Sequence, residues 1–117
     1  MKTNRQKPYK YERLSSEIER LITEVVSYEI NDKRVSGKCE VTGIKLTHDY
    51  SHCKVYVEIN SDDKKDVLDG LKNSVGFVKH IISEQLALRK IPDLAFVIDD
   101  TKEKMDRINE IIEQIKQ

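Results

Sequence analysis

His48-Asp49-Tyr50-Ser51-His52 places two histidines four residues apart with an aspartate between them. On a helix, that spacing would put both imidazoles on one face and suggest a metal site. The flanking pattern makes the segment a hairpin turn instead, where side chains splay, and no third ligand lies near in sequence. No metal site is expected. Cys39 and Cys53 are the candidate nucleophiles, but both fall on half-buried strands. If residues 39–47 and 53–59 form one hairpin turning near Tyr50, Cys53 faces Thr47. Cys39 then lies roughly 26 Å further along, at about 3.3 Å per residue. A disulfide needs Cα atoms within about 7 Å. Asp99-Asp100 is the one adjacent carboxylate pair at a strand end, and a helix cap accounts for it. No Gly-x-Ser-x-Gly, His-Glu-x-x-His, Walker-type or Gly-x-Gly-x-x-Gly pattern occurs. The expectation is therefore no catalytic residue, no cofactor and no small-molecule substrate.

Anion chemistry has a better candidate. Asn73-Ser74-Val75-Gly76 lies inside a helical unit that would otherwise run from Lys64 to Leu88, long for a domain of this size. Glycine weakens a helix interior by roughly 1 kcal/mol relative to alanine, so a kink or short break near Gly76 is expected. A break frees backbone N–H groups at the start of the second half. Those groups, with the helix dipole, can hold phosphate oxygens. Lys72 and Lys79 flank the break and His80 follows. A packing glycine that lets the helix approach a sheet explains Gly76 equally well, and sequence physics leaves both readings open.

The elements that must position this break follow from periodicity. Leu14, Ile18, Leu21, Ile22, Val25 and Val26 have helical spacing, with Ser15 or Ser16 as N-cap and an end near Ile30. Residues 33–37 read as a loop. Cys39 and Val41 alternate with polar neighbours, as do Ile44 and Leu46, and the phase flips at Gly43, which reads as a β-bulge. Cys53, Val55, Val57 and Ile59 alternate strictly. Val67, Leu68, Leu71 and Val75 form one helical stripe, and Val78, Ile81, Ile82 and Leu86 a second. Phe77, at their junction, reads as core. Residues 94–98 are continuously apolar, as strands buried on both faces are. Met105, Ile108, Ile111, Ile112 and Ile115 form the stripe of a last helix.

The chain has 117 residues, enough for one domain. Residues 1–12 read as a flexible basic arm and 13–117 as the domain. Neither a secretory signal nor a membrane span is read from the sequence, so a cytoplasmic protein is expected. Net charge is zero, but its distribution is uneven. Residues 1–13 carry Lys2, Arg5, Lys7, Lys10 and Arg13 against Glu12. Residues 72–90 carry Lys72, Lys79, Arg89 and Lys90 against Glu84. Acidic residues concentrate elsewhere, so a basic face and an acidic face are expected, and the basic face can hold phosphates. With no tryptophan and few aromatics, shape and charge should dominate over base stacking, with Tyr9, Tyr11 and Phe77 the only stackers near basic residues.

Several stretches also resemble a known family in their order and spacing. They are Arg13-Leu14, Val41-Thr42-Gly43-Ile44, His48-Asp49, Lys54-Val55-Tyr56-Val57, Ser74-Val75-Gly76-Phe77-Val78-Lys79 and Leu88-Arg89-Lys90-Ile91-Pro92-Asp93-Leu94-Ala95-Phe96. Together they are similar to the bacterial ribosome-binding factor A family along nearly the whole chain. The resemblance implies an α+β, KH-like type II fold, α-β-β-α-kink-α-β plus a C-terminal helix. A three-stranded sheet would be packed by helices, without the Gly-x-x-Gly loop of usual KH domains. The family's Ala-x-Gly kink reads Ser74-Val75-Gly76 here, and the serine hydroxyl is expected to cap the second helix half. The resemblance also implies a monomer that binds 16S ribosomal RNA on the immature 30S subunit. There it would support late maturation and 5′-end processing, often in cold adaptation, without being a nuclease. The RNA-binding residues would be Lys72, Ser74, Val75, Gly76, Lys79, His80, Arg89 and Lys90, with Arg5, Lys7, Lys10 and Arg13 as a second basic contact. The rival expectation is a protein-interaction module whose last helix docks a partner.

Overall fold

Ile18, Leu21, Ile22, Val25 and Val26 recur at helical spacing and all are buried. Burying such side chains contributes roughly 1.5–3 kcal/mol each. The computed structural model describes residues 2–116, with side chains from Lys10 onward. In it the stripe lies on α1 (Lys2–Glu24), which continues as a single π-helical turn, Val25–Glu29, until Ile30 turns extended. The expected domain boundary at residue 12 and the expected caps Ser15 and Ser16 all fall inside α1. Tyr11 explains part of the earlier start: it docks on the hairpin that follows.

That hairpin comprises β1 (Cys39–Leu46) and β2 (His52–Ile59), antiparallel. Cys53 pairs with Leu46 rather than Thr47, because Thr47 is drawn into the turn. The Thr47 N–H donates to the His52 carbonyl at 2.9 Å, and its hydroxyl accepts from the His52 N–H at 3.0 Å. Cys39 pairs with Ile59, so the two cysteines remain far apart along the sheet and both thiols are free. The register slips between Val41 and Gly43, leaving Thr42 as the extra residue of the bulge that the alternation implies.

Residues Lys64–Asn73 form α2 and Val75–Gln85 form α3. Asp63 caps α2, its carboxylate accepting from the Asp66 N–H at 3.0 Å. The break therefore sits at Ser74, inside the expected Asn73–Gly76 segment, and Gly76 lies in the first turn of α3. Ser74 does not cap α3 as expected. Its hydroxyl donates back to the Gly70 carbonyl at 3.0 Å while its N–H bonds to the Leu71 carbonyl at 3.0 Å. Side-chain bonding to the preceding turn is a known local competitor of capping.

The last strand, β3 (Asp93–Ile98), pairs parallel with β2, giving the order β1-β2-β3. The expectation of burial on both faces fails, because the helices cover only one face of the sheet. Phe96 is buried and Leu94 and Ile98 are half-buried against the core, whereas Ala95 on the opposite face is exposed. Helices α1, α2 and α3 cover one face of the sheet, where Leu46, Cys53, Val55, Val57 and Ile59 meet Val67, Leu71, Val78 and Ile82. This α-β-β-α-α-β arrangement is the KH-like one. The final helix, α4 (Thr101–Lys116), stands apart. Its start is fixed by Asp99, which accepts the Thr101 N–H at 3.0 Å and the Thr42 hydroxyl at 2.6 Å, and by a Lys64–Glu103 ion pair. Its stripe of Met105, Ile108, Ile111, Ile112 and Ile115 is exposed, each by 44–77%.

Candidate nucleic-acid interface

Gly76 has open space around it: a Cβ built there meets nothing within 4 Å. The packing-glycine reading therefore does not hold at Gly76. Gly70 is the glycine that packing requires, since a Cβ there would lie 2.7 Å from Val35 Cγ2. Phe77, expected in the core, is 43% exposed beside Gly76. Val75, Gly76 and Phe77 open α3, and the first N–H groups of a helix lack acceptors within their own helix. Lys72 is exposed on the last turn of α2, roughly 10 Å from Lys79 along nearly continuous helix.

Lys79 is not a solitary cation. Its Nζ lies 3.1 Å from Asp93 Oδ1 at the start of β3. The Asp93 carboxyl is held below its ordinary value chiefly by Lys79, and further by His52 and Lys90. His52 pairs with Asp93 across β2 and β3. Lys79, Lys90 and His52 therefore converge on one end of the sheet, and Arg89 adjoins them. His80 is exposed and leans toward Glu84 one turn on, at 3.5 Å. Lys10 and Arg13 are exposed on α1, next in sequence to Tyr11 and Leu14. The side chains of Arg5 and Lys7 lie outside the described residues.

The groups considered for catalysis are held in unreactive states. Burial pushes the Cys53 thiol up to about 11 and raises Cys39 as well. Neither is a thiolate at neutral pH, and thiolate is the nucleophilic form. Asp99 is held down at about 2 by hydrogen bonds from Thr101 and Thr42, and Asp49 at about 2 by Ser51 and Thr47. Both stay ionised, which unsuits them as general acids. Among the described residues, no three His, Cys, Asp or Glu side chains gather as metal ligands.

The turn between β1 and β2 holds an arrangement that sequence reasoning missed. Tyr11 stacks on His48 with ring centroids 4.4 Å apart, and on Tyr50 at 6.0 Å. Its hydroxyl donates to the Leu46 carbonyl. Tyr50 has φ 63°, a left-handed conformation that costs a bulky residue roughly 1–2 kcal/mol. Tyr50, Leu14, Ile18, Leu88 and Pro92 line a cleft of about 150 Å3, with Asp49, Arg89 and Lys90 around it. A tyrosine inside a polar turn was the available signal, but its pairing with Tyr11, 39 residues earlier, is not legible in sequence.

Several known proteins are similar to this chain. A sequence profile described as Ribosome-binding factor A matches residues 10–112. A protein of that name from Microcystis aeruginosa is 37% identical over 107 residues, covering 89% of this chain and 84% of its own. The crystal structure of ribosome-binding factor A from Thermus thermophilus superposes with a TM-score of 0.67 at 22% identity. That match covers 74% of this chain and 92% of the other. Coordinates of the Thermus thermophilus protein fitted into a cryo-EM map of a 30S complex give 0.63 at 22%, covering 75% and 93%.

Proposed function

We propose a function from one premise: the chain belongs to the ribosome-binding factor A family. It is a cytoplasmic, monomeric assembly factor that binds 16S ribosomal RNA on the immature small subunit. It supports late maturation and 5′-end processing of that RNA without cutting it. The observation that carries this reading is the family match over residues 10–112. The 30S complex of the Thermus thermophilus relative supports the small subunit as partner. Among the described residues, no helix is long and apolar enough to cross a membrane.

RNA phosphates approach the open surface at Ser74, Val75 and Gly76, flanked by Lys72, Lys79 and His80. Arg89 and Lys90 continue the contact at the end of the sheet, and Arg5, Lys7, Lys10 and Arg13 supply the second basic patch. Lys79 must share its ammonium between Asp93 and a phosphate. The Asp93 carboxylate is exposed and its ion pair is therefore weak, so Lys79 can turn to a backbone phosphate without a large loss. The test is co-sedimentation with small subunits across a salt series. A Lys72→Glu, Lys79→Gln double variant avoids setting a second carboxylate against Asp93. It should bind more weakly and flatten the slope of log affinity against log salt by roughly 1.5. Unchanged binding by a folded double variant would remove this surface from the RNA site. The exposed stripe of α4 favours a second reading, a protein-docking module. Association that ignores salt and survives removal of RNA would establish it instead.

A further inference from the structure

We propose that the cleft beside the β1–β2 turn takes a single unpaired RNA base, with the adjoining phosphate on Arg89 and Lys90. The inference rests on the RNA-binding reading above and adds a base-stacking subsite to it. Leu14, Tyr50, Leu88 and Pro92 give the cleft an apolar lining, and Pro92 is fully buried beneath it. At about 150 Å3 the cleft is well below the roughly 300 Å3 at which drug-sized sites begin, so it suits one planar ring and not a whole nucleotide.

Tyr50 is the residue a base would stack on. Tyr11 braces it from within the molecule, and His48 extends the same stack toward solvent. Tyr11 is itself tethered to the Leu46 carbonyl, so the platform is built before any ligand arrives. The charges around the cleft are polarised. Arg89 and Lys90 are exposed and make no ion pair among the described residues, whereas Asp49 is an ionised carboxylate fixed by Thr47 and Ser51. A phosphate must therefore lie on the Arg89–Lys90 side, with the base directed inward toward Tyr50. An apolar peptide side chain would use the lining but leave both cations without a partner.

The test uses the full chain and a single-stranded RNA hexamer carrying one 2-aminopurine, whose fluorescence falls on stacking. Wild-type protein should quench it at low salt. Tyr50→Leu should abolish the quenching and weaken hexamer binding by roughly fivefold or more, the range of base–aromatic stacking. Tyr50→Phe, which keeps the ring, should retain both, and circular dichroism with equal thermal midpoints should show that the loss in Tyr50→Leu is not one of folding. An Arg89→Ala, Lys90→Ala variant should weaken binding while keeping the residual quenching at saturation. If the wild type co-sediments with small subunits but does not quench, or if Tyr50→Leu binds as wild type, the subsite is wrong and the RNA-binding reading stands. If the wild type binds neither hexamer nor subunit, both fall.

Discussion

Adding one methyl group at Gly70 should destabilise the protein, and the same change at Gly76 should not. At Gly70 the new Cβ lies 2.7 Å from Val35 Cγ2 and 3.2 Å from Arg34 Cβ. Val35 is buried and cannot retreat. Arg34 is pinned by its guanidinium, which meets Asp32 at 2.7 Å. Alanine gains about 1 kcal/mol of helix preference, but overpacking costs about 1–3 kcal/mol. Gly70→Ala should therefore lose up to about 2 kcal/mol in denaturant unfolding. Gly76→Ala meets open space and should be neutral or slightly stabilising by the same measurement. If RNA backbone approaches here as proposed, the variant's association with small subunits should nevertheless weaken, because the added methyl stands in that approach. Sequence can mark both residues as glycines in a helical pattern. It cannot show which one is packed, because that depends on Val35, which precedes the whole β1–β2 hairpin in the chain. The same limit hid the Tyr11–Tyr50 stack, although each tyrosine was visible beside charged neighbours.

Elements were legible wherever one apolar face dominates. The strict alternation of β2 and the phase flip at Gly43 appear in the structure as read, and so do the stripes of α2 and α3, except that Val75 opens α3 and Leu86 lies just past it. Misplacements occurred where polar side chains or chain order decide. The α2–α3 break lies in the expected Asn73–Gly76 segment, but at Ser74, whose hydroxyl bonds back to the Gly70 carbonyl, and not at the glycine two residues on. The apolar run of β3 reads as doubly buried, yet the helices cover only the face that carries Phe96 and leave Ala95 exposed. The start of α4 depends on a second polar device, one that the helix-cap reading of Asp99-Asp100 did place: Asp99 bridges Thr42 and Thr101. Its carboxyl is held at about 2, below the ordinary 3.8. A carboxyl depressed in the folded state stabilises it above the unfolded pKa and loses that contribution as pH falls through the folded one. The first turn of α4 should thus be secure above about pH 4 and loosen toward pH 2. Asp49 and Asp32 are depressed to about 2 as well, so a global melt would blur the effect. Amide exchange at Thr101, compared with Asp99→Ala, should show a pH step that the variant lacks.

At the scale of the whole molecule, α4 is an appendage to a six-element core. None of its residues is buried, and its tie to α2 is a surface ion pair of the kind that contributes little. Deleting residues 101–117 should therefore shift the thermal midpoint by less than about 5 °C, corresponding to under about 1 kcal/mol. A larger fall would mean that the stripe covers something in solution. The order of the core elements could be read from periodicity, but the strand order could not, since nothing local says that β3 returns beside β2. That return has a consequence for synthesis. β1 and β2 are joined by a short turn and can pair as soon as residue 59 clears the exit. The partners from His52↔Asp93 to Val57↔Ile98 are 41 positions apart. During vectorial synthesis the nascent chain must therefore carry one open edge of β2, until residues 93–98 clear the exit and the α2–α3 crossover closes. Lys54, exposed on that strand, places a charge at the edge during the interval, a feature that discourages pairing with foreign strands.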